Sequence, residues 1–451
     1  MRRALAAAAT VGIFLLLPAP ALAHKIGGTF RSPLPLAVYL AGAAAVVALS
    51  FWFAFSRATE VPVPGPGRVR VVPRWLRLLL RAVGLLGWAW PLVQTLVVGG
   101  SSDADVSSLF LWVFGWVGVA LFSALIGPIW AWLDPFATLH ELAGGLLRRL
   151  GFGGRDPAPW PIRLGRWPAV VGFAFFIWLE LVAPGGSGGR NLGAALLVYT
   201  MVTLAAMTQY GREAWRARGE AFSVWFGLLG RLAPWRLAGD RASGRVERRP
   251  FASGLIGAPW ARDELVVVAL ATAAVMYDGL SQTQPFFALF GLPGLGVATL
   301  LLYAFLGMVV VAVLGAARLA GVAALGAGLV PIAVGYIVAH YLTFLLLDGQ
   351  RLVIALSDPL QQGWDLLGTA FYEPKIDWLP GAVLWGIQLA AVVAGHMVGA
   401  WAGHAAAVAG QGRGADRAAL VRQQLPLAAL MVTLTVVTLW SLGQQVVVPA
   451  T

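Results

Sequence analysis

The chain has 451 residues, of which 59% are hydrophobic and only 12% are charged, about half the charged share of an ordinary soluble domain. This composition excludes a soluble globular protein, and the absence of cysteine excludes disulfides, thiolate metal sites and a cysteine nucleophile. The net charge of +12 does not indicate nucleic-acid binding, because the arginines that produce it concentrate in a few loops between apolar stretches.

The N-terminus has the pattern of a secretory signal peptide. Arg2 and Arg3 precede an apolar core, and an Ala-Leu-Ala sequence ends at Ala23. We therefore predict a signal peptide over residues 1–23 and a single multi-span membrane domain over residues 24–451. An uncleaved signal anchor is the alternative, and it leaves the threading of the remaining chain unchanged.

Ten further apolar stretches follow the signal, and each approaches or exceeds the roughly 17–25 residues that a membrane-spanning helix needs. The pattern predicts an all-α, polytopic integral membrane helix bundle that contacts the lipid bilayer along most of its length. The stretches are 34–56, 77–98, 107–132, 167–183, 192–210, 264–280, 295–316, 322–347, 381–405 and 426–447.

The loops between these stretches alternate in charge. The arginine-rich loops are 57–76, 133–166, 211–263 and 406–425. The intervening loops 99–106, 281–294 and 348–380 are acidic or uncharged. Because cytoplasmic loops carry the excess of Lys and Arg, the pattern predicts that the arginine-rich loops are cytoplasmic and that both mature ends lie outside.

Three loop segments have patterns of their own. In 136–150 and in 213–235, apolar residues share one helical face beside arginines, which predicts helices lying on the inner leaflet. Ordinary connecting helices are the alternative for both segments. The acidic segment 348–380 is predicted to cap the outer face with short helices.

Among the titratable residues inside the predicted spans or at their ends, the site candidates are Glu180, Asp278, His340 and His396. His404 lies near the cytoplasmic end of its span and is interpreted as an interfacial residue. A titratable group at membrane depth is costly and indicates a functional site by default. The threading places the first three at similar depth near the outer side, in one outward-facing cavity, with His396 beneath them. Two helical neighbours at a spacing of four residues are predicted as supporting groups. They are Tyr336 for His340 and Gln282 for Asp278.

Each of these residues also has a purely structural interpretation. Glu180 and Asp278 reach water if the spans end slightly earlier, and His340 is then a hydrogen-bonded packing residue. His396 lies between Gly395 and Gly399 in a small-xxx-small pattern, which by itself explains close helix packing.

Five passages spread over the chain carry a family resemblance. They are AHKIGGTFRSPLPLAVYLAG, WAWLDPFATL, YDGLSQTQPF, AHYLTFLLLDGQ and GHMVGAWAGHAAA. With them the chain resembles a family of polytopic membrane proteins from high-GC Gram-positive bacteria and halophilic archaea that is often labelled fenitrothion hydrolase-like. It departs from the family's pattern at Lys25, Thr29 and Asp134. The resemblance implies a bacterial or archaeal plasma membrane and hydrolysis of an aryl organophosphorus ester.

This chemistry suits a membrane site, because an apolar ester concentrates in the bilayer and a metal-bound hydroxide can attack phosphorus. Under this hypothesis the catalytic residues are Asp278, Glu180 and His340. The metal ligands are His340, His396 and Asp278, holding a divalent ion such as zinc or copper.

Two other functions fit the same residues. Outward-facing carboxylates and a deeper histidine also suit a proton-coupled transporter or a permease that handles a metal ion or a small solute. A haem-binding electron carrier with His340 and His396 as axial ligands is the third interpretation. The sequence leaves the three functions open.

Overall fold

The computed structural model describes residues 67–98, 105–151, 156–186, 188–411 and 417–442, with a few positions between 41 and 50. The chain is mostly helical. In the ranges described, nine helical segments are long and apolar enough to cross a membrane. They correspond to nine of the ten predicted spans. The signal peptide, and nearly all of the predicted span 34–56, lie outside the described residues.

The helices and strands follow one another in a simple order along the chain. They are β1 (Val69–Val71), α1 (Arg74–Val97), α2 (Val106–Leu125), α3 (Pro135–Arg149), α4 (Trp167–Leu181), α5 (Gly189–Tyr210), α6 (Arg212–Arg218), α7 (Ala221–Leu229), β2 (Trp235–Leu237), β3 (Arg245–Arg248), α8 (Arg262–Ser281), α9 (Gln284–Phe290), α10 (Leu295–Ala320), α11 (Val322–Asp348), α12 (Arg351–Ser357), α13 (Gly381–Gln411) and α14 (Arg417–Leu442). The middle of α2, Leu109–Val119, is wound as a π-helix.

Helices α8 and α11 form the centre of the bundle. In each of these two helices, 83% of the residues in the most apolar 18-residue stretch are buried, against 11% in α1 and 22% in α10. The outer helices expose apolar side chains such as Leu86 on α1 and Val311 on α10, as lipid-facing helices do. Polar residues of α8 and α11 therefore lie in the protein interior, where each needs a partner.

Helices α11 and α13 pack with their backbones in close approach. A Cβ atom added to Gly395 would lie 2.7 Å from the carbonyl oxygen of Pro331, and one added to Gly399 would lie 2.4 Å from that of Gly328. These distances are too short for any side chain, so the glycines are required for this contact. The small-xxx-small interpretation of this pattern is confirmed, and the contact presses His396 against α11.

Three of the arginine-rich loops meet at one end of the bundle. Strands β1 and β2 pair antiparallel with β3, which joins loop 57–76 to loop 211–263. Glu141 of α3 forms ion pairs with Arg81 and Arg212, which adds loop 133–166 to this end. Segment 348–380 lies at the opposite end, where the Pro359 carbonyl accepts a hydrogen bond from Trp90 at 2.7 Å. The sheet was not predicted, because its strands have only three or four residues and are rich in arginine.

The predicted inner-leaflet helix 136–150 forms as α3, which exposes Leu142, Leu146 and Leu150 at its C-terminal half. The same prediction for 213–235 is wrong. That segment breaks into α6 and α7, and Trp225 and Leu229 are fully buried in the main core. The side chains of α7 are almost all apolar, so the helix inserts between other helices. It lacks the polar face that a helix on the membrane surface turns toward water.

The predicted outer cap 348–380 contains one short helix, α12, followed by turns. Its turns are held by side chains of the segment itself. The Ser357 hydroxyl donates to Asp365 at 2.7 Å, and the backbone N–H of Gly363 donates to Asp358 at 2.9 Å.

A buried ion pair fixes the arginine-rich end. Asp134 is fully buried, accepts from the backbone N–H of Ala137 at 3.0 Å as the N-cap of α3, and accepts from Arg216 Nε at 2.8 Å. Glu220 caps α7 in the same region, where it accepts from the Ser223 backbone N–H at 2.6 Å. Burial raises the pKa of Glu220, and the nearby Asp134 carboxylate raises it further.

We expect Asp134→Ala to lower the free energy of unfolding by about 3–5 kcal/mol, because it leaves the Arg216 guanidinium buried without its partner and removes the cap of α3. Denaturant unfolding in detergent measures this change. Asp240→Ala is the matched control, since Asp240 caps an exposed turn through the Ser243 backbone N–H at 2.9 Å. An equal loss in both variants would contradict a special role of the buried pair.

Candidate functional site

Five side chains meet between α4, α8 and α11, and we call them the carboxylate cluster. They are Glu180, Asp278, Gln282, His340 and Tyr341. The two carboxyl groups belong to the last turns of α4 and α8, whereas His340 and Tyr341 lie about 12 Å before the end of α11. All but Gln282 are only 3–8% exposed.

Asp278 is the best-bonded member of the cluster. His340 Nε2 lies 2.8 Å from Asp278 Oδ2, and the Tyr341 hydroxyl donates to the same oxygen at 3.1 Å. Gln282 Nε2 donates to the other oxygen, Oδ1, at 2.7 Å. Both carboxylate oxygens therefore have hydrogen-bond partners, which suits an ionised carboxylate.

Glu180 has far fewer hydrogen-bond partners than Asp278. Its Oε1 atom lies 3.5 Å from the Tyr341 hydroxyl, at the limit of a hydrogen bond, and its buried Oε2 atom has no hydrogen-bond partner in the described part of the chain. A tyrosine hydroxyl carries one proton and cannot donate to Asp278 and Glu180 at the same time. Because an unpaired buried charge is very costly, the surroundings favour the neutral form of Glu180.

A glycine opens a small space beside the imidazole. A Cβ atom on Gly279 would lie 3.7 Å from His340 Nδ1 and 3.4 Å from Ser441 Oγ, which are ordinary contact distances. We call the space that this Cβ would fill the Gly279 niche. The niche lies between the His340 imidazole and the Ser441 hydroxyl, and no side chain of Gly279 fills it.

The structure brings Glu180, Asp278 and His340 together, as their predicted depths require. Gln282 also contacts Asp278, at the spacing of four residues used to select it. Their catalytic roles are a separate matter and stay a prediction.

The supporting role of Tyr336 is not found. Its hydroxyl is buried and has no hydrogen-bond partner among the described residues, and its ring lies 5.7 Å from the His396 ring, centroid to centroid. Tyr341 contacts the carboxyl groups instead. Sequence reasoning missed it because adjacent helical residues point in directions about 100° apart, and the neighbours of each helix face are unknown from one sequence. Its place beside His340 was the only available signal.

His396 of α13 is fully buried beside Tyr336, which precedes His340 by one turn of α11. Its Nδ1 atom lies 2.8 Å from the Val392 carbonyl oxygen, and its Nε2 atom has no hydrogen-bond partner within the described ranges. Since a carbonyl only accepts, Nδ1 is the protonated nitrogen and Nε2 is the acceptor in the neutral ring. His404 is separate from this region, because it bonds Gln424 at 3.0 Å.

The residues proposed as metal ligands do not fit that role together. Within the described ranges, no group of three or more His, Cys, Asp or Glu side chains is arranged to hold a metal ion. His340 Nε2 faces Asp278, and the Tyr336 ring lies against His396. The same arrangement argues against a haem between the two histidines, whose nitrogens would have to face each other. We therefore derive no chemistry through zinc, copper or haem.

The bond between Asp278 and His340 predicts strong energetic coupling between them. We expect the single variants Asp278→Ala and His340→Ala and their double variant to give a coupling energy of about 1–3 kcal/mol in denaturant unfolding. Asp278→Ala combined with His404→Ala is the control, and its effects should add. Additivity in both pairs would show that the bond contributes nothing to folding.

Comparisons of the chain with protein-family models, with curated proteins and with solved structures found no match. Any functional conclusion therefore rests on the carboxylate cluster and on its position in the bundle.

Proposed function

We propose that this protein is a proton-coupled membrane transporter in which Glu180 and Asp278 bind the coupling proton. One observation carries the proposal: two buried carboxyl groups of membrane-crossing helices face a single shared tyrosine hydroxyl. Ionisable groups in such positions typically belong to ion or proton pathways. The remaining polar groups of the cluster then serve to stabilise one carboxylate at a time.

The charges of the cluster support proton exchange at this site. When it is protonated, the His340 imidazole, 2.8 Å from Asp278, balances that carboxylate. The second carboxyl group, Glu180, has no cation beside it in the described structure and keeps its proton while the site is closed. Ionisation of Glu180 requires water or a solute at Oε2, which links proton release to the opening of the helices.

The charged loops give the proposed orientation. The end with the arginine-rich loops and the three-stranded sheet faces the cytoplasm, because positive loops remain on that side. The carboxylate cluster then lies toward the outer face of the plasma membrane, at the end where Trp90 contacts Pro359. Protons would enter from outside and a small solute would move with them.

Proton binding can be measured before the solute is known. In proteoliposomes on a solid-supported membrane, a step in external pH should produce a transient charge displacement as protons enter the cluster. We expect Glu180→Gln to abolish this displacement, since it removes the carboxyl group that releases the proton, and Asp278→Asn to reduce it severalfold, since it removes the second carboxyl group of the cluster.

Glu373→Gln is the control for this experiment. Its side chain is 83% exposed in the segment 348–380, so its loss should leave the displacement unchanged. A displacement of normal size in both Asp278→Asn and Glu180→Gln would refute the proposal.

A second function is favoured by one specific contact. Asp278 holds His340 through Nε2, as a carboxylate orients a general base, and the other edge of the imidazole borders the Gly279 niche. With the resemblance to the fenitrothion hydrolase-like family, this contact favours hydrolysis of an aryl organophosphorus ester. His340 would take the proton of the attacking water, and Asp278 would position the ring.

An aryl phosphotriester with a nitrophenyl leaving group tests the hydrolase. If the protein is this enzyme, His340→Ala and Asp278→Asn should lower kcat/KM by about 10²–10⁴-fold, the usual contribution of a general base. Glu373→Gln again serves as the control. Hydrolysis that persists in both cluster variants excludes these residues as catalytic groups.

A further inference from the structure

A second group of polar atoms lies deeper in the bundle, and we call it the inner polar site. It consists of the Tyr336 hydroxyl on α11, Nε2 of His396 on α13 and the Thr438 hydroxyl on α14. All three atoms are buried, and none has a hydrogen-bond partner among the residues that the structure describes. The rings of Tyr336 and His396 are 5.7 Å apart, and the Thr438 hydroxyl lies beside the Tyr336 hydroxyl.

The inner polar site requires an explanation, because its three buried polar atoms lack hydrogen-bond partners among the described residues. Buried polar groups in folded proteins are nearly always hydrogen-bonded, and each one left without a partner destabilises the fold. A buried water usually makes two to four hydrogen bonds to such groups. Two hydroxyls and one ring nitrogen acceptor supply a matching set of donors and acceptors. Three different helices contribute these groups, so the site depends on the packed bundle.

The inner polar site adjoins the carboxylate cluster through two helices. Tyr336 precedes His340 by one turn of α11, and Thr438 precedes Ser441 by nearly one turn of α14. The Ser441 hydroxyl donates to the Thr438 carbonyl at 2.8 Å and also borders the Gly279 niche beside His340. Polar groups thus follow one another from Asp278 to His396.

Beneath the inner polar site the bundle closes. The backbone of α13 at Gly399 approaches that of α11 at Gly328, and the Met431 side chain lies against the same glycine. Small and apolar groups fill this level, so the polar series ends at His396 in the closed structure. His396 is therefore its innermost titratable member among the described residues that form the series.

We propose that Tyr336, His396 and Thr438 bind an internal water, and that this water and Ser441 pass protons between His340 and His396. When His340 releases a proton, the Ser441 hydroxyl accepts it and releases its own proton to the water, and the water in turn releases one to Nε2 of His396. His340 thereby loses one positive charge, His396 gains one, and Ser441 and the water end unchanged. Tyr336 is the titratable side chain that faces His396 from α11, whereas α14 contributes Thr438 and the Met431 carbonyl. Proton passage rests on the proposed transporter function, but the water site does not.

The water site is tested by cryo-electron microscopy at a resolution that shows buried waters. We expect density within hydrogen-bond distance of Tyr336 Oη and His396 Nε2 in the native protein. Thr438→Val keeps the side-chain shape and removes one hydroxyl, so water occupancy should fall about fivefold. Thr433→Val is the matched control on the same helix, because Thr433 is exposed and bonds only its own helix at Ala429.

The relay is tested by the pH-step measurement on Gly279→Ala and Thr438→Val. The Gly279→Ala methyl group fits its surroundings at 3.4–3.7 Å and fills the niche between His340 and Ser441. Both variants should slow the charge displacement about tenfold, because each blocks one step of the proposed relay, while Thr433→Val should not.

The outcomes separate the two proposals. A native protein without charge displacement refutes the transporter, and the water density is then judged by itself. A native displacement that Gly279→Ala and Thr438→Val leave at its normal rate refutes the relay. Absence of water density in the native protein, with other buried waters visible, refutes the site.

Discussion

The fold around α4, α8 and α11 depends on the need to pair charge away from water. Asp278 is buried in the most enclosed helices of the bundle, and an isolated carboxylate there would destabilise the protein by several kcal/mol. The donors that prevent this come from α11 through His340 and Tyr341. Pairing Asp278 therefore fixes the rotation of α11 relative to α8, and the same hydroxyl draws α4 close through Glu180.

Helix α11 connects this pairing to the deeper site. One side of it contacts α8 through His340, and another contacts α13 through glycines that allow the backbones to meet. That glycine contact explains why His396 lies against Tyr336. On α13, Gly395 is required for helix packing, and the adjacent His396 has a ring nitrogen available for chemistry. The two interpretations of His396 are therefore compatible.

The sequence predicted the features that depend on composition and on the length of the apolar stretches. Long apolar stretches become helices in any membrane protein, and the carboxyl groups and His340 were grouped because helix length gives depth. The sequence did not predict the choice of Tyr341 over Tyr336, nor the burial of Trp225. Both depend on which helix covers which face, and hydropathy contains no information on that. The short strands were missed because their pairing partners lie far apart in the chain.

The closed state of the cluster bears on the choice between functions. Glu180 and Asp278 are 5% and 4% exposed, so an aryl ester reaches His340 only if helices separate by the width of a ring. A proton needs only a file of water or one hydroxyl that rotates. Because the Tyr341 hydroxyl already faces both carboxyl groups, a proton can move between them with a small rearrangement. Proton exchange is accordingly the chemistry that this arrangement supports with the least change of structure, and hydrolysis requires an opening that the buried pairs oppose.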